Sequence, residues 1–515
     1  MARRPAQAVV LLLALGAGCS RPRTAPVAAP VDAGHAARVL QLMPITTSSA
    51  VARDAFLEGR RLSDNNRQSE SLSKFHEAVT ADPDFALAWS YMGYVLTGDE
   101  GLAMVRRAQR LSAKLPEGER LWIELQLARV EGRQDDATRV AQQLVLVIPD
   151  EWRVLFEMAQ MAYDRRDFER ATAGYRRAMS LSVELSSSCL GFNNLGYAQA
   201  MIGHLDQAIS ALTKCVAFNP SEPNPWDSLG EIQLAAGRFE ESRESFGKAL
   251  ALSKAFVEAE RGIAAVEFAQ DRYDAGQASL VRARQSALRS TERASIDLAV
   301  AWATLAHGDE KAAFATIDRA EKELHREKVP AYWVADVAAT RAAMLNLLGR
   351  HAAVVALVGP QLTALQKADA GSELASIVRH RLHAELVMAQ AKTDLPAARR
   401  TLALLTQEIA TNTATIEVDA LGRRARAAVA RASGDDESAL TELAGCELLG
   451  LSEYTLDDRV KPHDTRCLLD RAELLTTLHR EGAAPIVQRL SGFASRDPVD
   501  VLVRQRALGL RKLAK

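Results

Sequence analysis

The sequence predicts an all-α chain built as an α-solenoid of stacked helical hairpins. Three observations carry that expectation. From about residue 52 apolar residues recur at i, i+3, i+4 spacing in paired segments joined by short turns, the pattern of amphipathic helices. Matching residues return 34 positions later, Phe192 as Trp226 and Gly196 as Gly230. Aromatics make up only 5% of the residues, fewer than the strands of a sandwich or barrel favour. At roughly 150 residues per domain, the 515 residues would suggest three or four compact units, but a repeat overrides that arithmetic.

The first segment is read apart from the fold. Arg3 and Arg4 precede a ten-residue apolar run, Ala8 to Ala17 (AVVLLLALGA). As a helix that run spans about 15 Å, half of a bilayer core of about 30 Å. A positive start followed by a short apolar run is the shape of a secretory signal peptide, expected over 1–18. Leu15-Gly16-Ala17-Gly18-Cys19 resembles the lipobox of bacterial lipoproteins, with Leu15 one place early and Gly16 where that family more often has Leu. The resemblance implies lipidation of Cys19 and a place in the bacterial cell envelope, with plain secretion as the alternative. The Pro/Ala-rich stretch that follows predicts a tether over 19–50. No later segment reaches eighteen consecutive apolar residues.

The repeat proper is expected over 51–285. Its clearest unit runs from Pro223 to Ser253. Trp226, Leu229 and Gly230 lie on a first helix, Gly237-Arg238 at a turn, and Ser242, Phe246 and Ala249 on a second helix. The unit before it carries Phe192, Leu195, Gly196, Gly203, Ala208, Leu212 and Pro220. Trp89, Met92 and Gly93 open an earlier copy, and Ala171, Tyr175 and Ala178 close another. This spacing resembles the tetratricopeptide repeat family. Small residues let paired helices approach, a ring one turn later fills the gap between hairpins, and proline marks the boundary. One hairpin cannot bury its apolar face alone, and stacking does so.

Past residue 285 the consensus decays while helical pairs continue. They are expected at 291–307 with 310–327, 331–348 with 351–368, 371–393 with 395–411, and 413–432 with 435–449. This degenerate tetratricopeptide-like stretch, 286–449, either continues the superhelix or forms a separate helical domain. Residues 450–515 are expected to cap the array. They begin with a polar interruption at 450–462 and end in a helix bearing Arg504, Arg506, Arg511 and Lys512.

Apart from Cys19, four cysteines remain. Cys189 and Cys215 lie equidistant from the Ile202-Gly203 turn, and Cys446 and Cys467 bracket the 450–462 interruption in the same way. Residues equidistant from the turn of an antiparallel hairpin face one another, so two disulfides are expected, 189–215 and 446–467. The alternative is four small buried thiols.

Charge and motifs exclude several functions. Lys+Arg is 64 and Asp+Glu is 65, so no net field attracts a nucleic acid. The sequence has no phosphate-binding loop, no dinucleotide glycine fingerprint, no H-E-x-x-H and no C-x-x-C, so no cofactor or metal is expected. His380 and His383 share a helical face, but Arg379 and Arg381 flank them, and a solvated face is expected. The arginine pairs, such as Arg106-Arg107, Arg399-Arg400 and Arg423-Arg424, are read as exposed helix faces. Glu240-Glu241 and Asp435-Asp436 fall at helix starts and suit the helix dipole.

What remains is binding. The family resemblance implies a groove lined by first helices that receives a peptide or partner protein. On the best units that face would include Asn193, Asn194, Tyr197, Asn224, Asp227 and Glu231. Asp227 and Glu231 would disfavour the Lys/Asn clamp by which some members hold a C-terminal carboxylate. They would suit a neutral or basic ligand. The reading is a non-enzymatic, lipid-anchored scaffold. The alternatives are a ligand-responsive regulator and an enzyme with a site in 290–515.

Overall fold

A computed structural model describes residues 40–513 apart from 65–66, 97, 166, 187, 369–372, 412–415, 447–463, 493 and 495–497. Cys19 and the signal segment, most of the tether and the 450–462 interruption lie outside the described residues. Every regular element described is a helix. No described helix is long and apolar enough to cross a membrane.

The chain pairs its helices in order. α1 (Ala50–Asp64) packs on α2 (Gln68–Ala81), α3 (Ala86–Val95) on α4 (Gly98–Leu111), α5 (Glu117–Val130) on α6 (Gln134–Val147), and α7 (Trp152–Asp164) on α8 (Phe168–Leu181). After a one-turn helix, α9 (Val183–Ser186), the pairing resumes. α10 (Cys189–Met201) meets α11 (Leu205–Phe218), α12 (Pro223–Ala235) meets α13 (Phe239–Leu252), and α14 (Val257–Ala269) meets α15 (Tyr273–Ser286). The longer pairs are α16 (Ser290–Ala306) with α17 (Glu310–Arg326), α18 (Ala331–Leu347) with α19 (His351–Ala368), α20 (Glu373–Thr393) with α21 (Leu395–Thr411), and α22 (Ile416–Ala432) with α23 (Asp436–Ala444). The last three are α24 (Asp464–Thr477), α25 (Ala483–Gly492) and α26 (Pro498–Leu513).

Turn chemistry sets the hairpins. Gly203 and Gly237 take left-handed φ values of 82° and 73°, and 34 residues further on Asp271 takes 59° in the same place. Glycine carries no Cβ penalty there, and Asp is among the few other residues that adopt the conformation. Paired helices then close on small residues. A Cβ on Gly230 would stand 2.8 Å from the ring of Phe246, and one on Gly262 would stand 2.4 Å from it. Phe246 is fully buried between two consecutive first helices. Trp89 and Trp226 do the same job at two boundaries. Each indole donates its N–H to the carbonyl of the proline six residues earlier, Pro83 at 2.9 Å and Pro220 at 3.0 Å.

Four features differ from the sequence expectation. The tether ends by residue 41, because residues 41–47 are docked along the first four hairpins. The Gln41 N–H donates to Asp150 (2.9 Å), the Met43 N–H to Glu151 (3.2 Å), and the Thr46 and Thr47 hydroxyls to Glu119 and Asp82 (both 2.5 Å). The C-terminal helices do not cap the free end. α26 packs on α16, made about 200 residues earlier, and buries Val499 and Val503 in one core with Trp302, Leu305 and Met344. Arg504 donates to the Phe268 carbonyl and to Asp271 (both 3.1 Å), and Arg506 donates to the Leu347 carbonyl (3.0 Å). These cations sit on the carbonyl ends of α14 and α18, where the helix dipole favours them.

His380 and His383 are not on a solvated face. They are 0% and 8% exposed, because α20 is covered by helices on more than one side. Arg424 likewise leaves the surface. It is paired with Asp470 (2.6 Å) and lies 4.0 Å from Glu385, to which Arg466 also donates (2.7 Å). The acids at helix starts behave as helix-start acids, and Asp435 accepts from the Ser438 N–H.

The structure joins Cys189 to Cys215 and Cys446 to Cys467 as disulfides, with Cα atoms 4.0 and 5.9 Å apart. Peptide mapping without reductant is expected to recover these two links, and free thiols at all four positions are the contrary result. Each closed loop contributes about 3 kcal/mol in the chain-entropy account. Phe246→Ala is expected to cost about 3–5 kcal/mol in chemical denaturation, since two glycine faces lose their shared contact.

Candidate functional site

First helices of five consecutive hairpins converge on a cavity that opens to solvent. Its walls are aromatic: Tyr91 and Tyr94 from α3, Trp122 from α5, and Trp152 and Phe156 from α7. α1 contributes Ser63 and Asp64, and α10 contributes Leu190.

The rings are fixed by one another. Tyr91 and Trp122 stack with centroids 5.6 Å apart and planes 15° from parallel. Phe56 meets Tyr91 edge-on at 5.1 Å, and Trp152 meets Phe156 edge-on at 6.1 Å. Such contacts add about 0.5–1.5 kcal/mol each beyond burial and hold the walls rigid.

The charges of the wall are already matched. Arg153 donates to Asp64 (2.6 Å) and to Glu151 (3.0 Å), and its guanidinium lies 4.1 Å above the Trp152 ring. Burial would lower the Arg153 pKa, but Asp64, Tyr91 and Glu151 outweigh it and hold it above the ordinary arginine value. Arg129 pairs with Glu157. Each carboxylate of the lining therefore has a cation, with Arg153 shared between Asp64 and Glu151.

Ser90 Oγ, Tyr91 Oη, Trp122 Nε1 and Gln126 Nε2 of the lining have no hydrogen-bond partner among the described residues. Their residues are 0%, 7%, 4% and 1% exposed. A buried polar group with no partner in the chain is met by water or by a ligand, or else costs about 1–3 kcal/mol. Burial pushes the Tyr91 hydroxyl up to about 12, so it keeps its proton at neutral pH. Indole and amide nitrogens only donate.

The six residues expected to line the groove lie further along the array, and the structure divides them. Asn193, Asn194 and Tyr197 are half-buried on α10, and Asn224 is exposed at the start of α12. Asp227 and Glu231 are 4% and 3% exposed, and Glu231 accepts from the Tyr197 hydroxyl at 2.7 Å. That bond links neighbouring first helices 34 residues apart, so this pair sits within the stack rather than open to a ligand. Asn193 Oδ1 is buried without a partner in the chain, one turn from Leu190 at the cavity edge. Sequence reasoning passed over Tyr91, Trp122 and Trp152, although three consecutive first helices with more aromatic residues than the repeat requires was a readable signal.

Among the described residues no group of three His, Cys, Asp or Glu side chains is arranged to hold a metal ion. His380 and His383 instead flank Glu408. His383 Nδ1 is 3.0 Å and His380 Nε2 is 3.7 Å from its carboxylate.

The repeated hairpins, the left-handed turns at the 34-residue interval and the ring wedged between small residues define a tetratricopeptide-type α-solenoid. Solved structures of similar architecture include MamA, with 19% identity over 33% of this chain and 91% of that one at a TM-score of 0.30. A tetratricopeptide repeat protein from Parabacteroides merdae shows 14% identity over 52% and 98% of the two chains, at 0.35. The Cut9-Hcn1 hetero-tetramer shows 13% identity over 90% and 76%, at 0.39. No protein-family model and no curated protein sequence matches the chain. At such identities the class rests on the hairpins themselves.

Burial holds the His380 pKa below its ordinary 6.5, against the pull of Glu408 and with Arg379 and His383 adding to the lowering. The unfolded chain then takes the proton first. Stability is full above about pH 6.5 and is lost as pH falls from there toward the folded value. Melting temperature is expected to fall over that window, and His380→Leu is expected to flatten the slope.

Proposed function

We propose that the protein is a non-enzymatic binding scaffold, held at the bacterial cell envelope by a lipid on Cys19, that receives a peptide or partner protein on the first helices of its N-terminal hairpins. One observation carries this reading: the N-terminal half leaves an aromatic cavity with four unmatched polar atoms, whereas the inner helices α14, α16 and α18 are covered by the chain's own C-terminal end. The lining supplies shape, ring faces and hydrogen-bond donors, which serve equilibrium recognition. Its ionised groups are locked in pairs, which leaves no free base or nucleophile for covalent chemistry. The lipobox-like segment supports the anchor, and the balanced net charge supports a partner other than a polyelectrolyte.

Crosslinking and pull-down from membranes test both parts. Wild type is expected to fractionate with membranes and to crosslink a defined partner. Trp122→Ala is expected to keep the membrane fraction and lose the partner. Cys19→Ala is expected to leave the membrane fraction. An unchanged crosslinking pattern in Trp122→Ala would remove the groove.

A further inference from the structure

Second helices α2, α4, α6, α8, α11, α13 and α15 each have 14 residues, and each ends on one edge of the array, at the loop to the next hairpin. The three most exposed large apolar side chains among the described residues lie on that edge. They are Leu146, one residue before the end of α6, Val183, two residues past α8, and Leu288, two residues past α15, at 81%, 83% and 88% exposed. Leu181, Phe218 and Leu252, each the last residue of its helix, are exposed in the hairpins between them. Apolar side chains scattered singly over a surface are ordinary, but a row along one edge is not scatter. The row is also distinct from the cavity, which the middle turns of α3 and α5 wall.

Cations accompany the row. One turn before Leu181, Phe218 and Leu252 lie the exposed Arg177, Lys214 and Lys248. The loops add exposed Lys254 and Arg289, and the acids nearby are Glu222 and Glu244. Glu244 bridges Lys248 with both side chains in solvent, a kind of pair that contributes little. Four residues of helix span about 6 Å, so the apolar side chains stand outermost and the cations about 6 Å behind them. A bilayer interface has this order, with hydrocarbon beyond the phosphates and long cationic side chains among the headgroups. The row offers single side chains one hairpin apart, a spacing that fluid acyl chains accept and a packed protein face does not. The course of the chain agrees. The docked segment 41–47 ends on the same edge, where Gln41 donates to the Asp150 carboxylate and accepts from the Asp150 N–H, four residues past Leu146. Leu42 is exposed there. The segment that leads back to Cys19 therefore joins the array on the edge that carries the row.

We infer that the inter-hairpin edge from α6 to α15 lies on an anionic bilayer surface. Leu146, Val183 and Leu288 enter the boundary of the acyl chains, and Lys214, Lys254 and Arg289 meet lipid phosphates. The inference rests on the anchored reading above for the presence of a membrane, and it names the face that the anchored array turns toward it.

The test is co-sedimentation with vesicles of the chain from Ser20 to Lys515, which keeps every packed helix and omits the signal segment and the lipid. One set of vesicles is phosphatidylcholine alone, and the other contains about one-third phosphatidylglycerol. Binding to the anionic vesicles is expected, weakening as salt is added, with little binding to the neutral ones. Val183→Ser with Leu288→Ser is expected to weaken binding by about ten-fold or more, the scale of two lost apolar contacts. Lys254→Gln with Arg289→Gln is expected to weaken it by about five-fold per cation. All four side chains are exposed, and circular dichroism confirms that both variants are folded. Absence of binding to anionic vesicles, unchanged binding in both variants or equal binding to the two vesicle types overturns the inference. So does a dimer in sedimentation velocity that Val183→Ser with Leu288→Ser dissolves while no vesicle is bound, which makes the row an interface between copies. A crosslinked partner lost in that variant, again without vesicle binding, makes it a protein-docking edge and also overturns the inference. Because the lipid is absent from this assay, the edge can fail while Cys19→Ala still leaves the membrane fraction, and the anchor can fail while the edge binds.

Discussion

Everything in this molecule depends on how closely two helices can approach where a glycine faces a ring. Phe246 lies in the gap that Gly230 and Gly262 leave, and Gly59 stands against Phe75 in the same relation near the N-terminus. The distance between paired helices is set there, and repeated spacing turns a row of hairpins into a stack. Because the rings are spent between hairpins, the side chains on the inner line of first helices are free to vary. Extra aromatics on α3, α5 and α7 therefore do not disturb the stack. They enclose a cavity instead.

Local physics was readable from the sequence. Helix starts and ends, the glycine turns and the two cysteine pairings depend on residues within about thirty positions of each other, and the 34-residue interval repeats their signature. What was not readable depends on returns of the chain over long distances. Nothing near Arg504 announces that it reaches Asp271, 233 residues earlier. His380 and His383 look like surface residues until Glu408 on the following helix is set beside them. Arg424 sits in an arginine pair that reads as exposed, yet it lies in the same buried group as Glu385 and Arg466. Asp227 and Glu231 were rightly placed on a first helix, but a neighbouring hairpin covers them. The cavity was hidden for another reason: an aromatic residue on a first helix has the same letter whether it wedges two hairpins apart or walls a pocket.

Both halves of the array bury polar groups, in different company. In the C-terminal half Glu385 is fully enclosed, and although burial disfavours its charge, Arg466, Arg424 and Asn346 more than restore it, so its carboxyl is held below the usual range. Removing one partner from such a group costs about 3–5 kcal/mol, which makes it a fastener between α20, α22 and α24. In the N-terminal half Ser90, Tyr91, Trp122 and Gln126 are as well buried and have no such partners.

The return of α26 to α16 also gives the chain an order of assembly. Hairpins up to α23 can form one after another, each on a neighbour already made, because their contacts are close in sequence. α26 has to wait until the whole chain exists and then find a surface completed some 200 residues before. Its docking is a single late event, held by Arg504, Arg506 and an apolar seam. A solenoid normally frays from its ends inward. Here the terminal helix clasps the middle, so loosening the end exposes α14, α16 and α18 while the hairpins on either side stay wound.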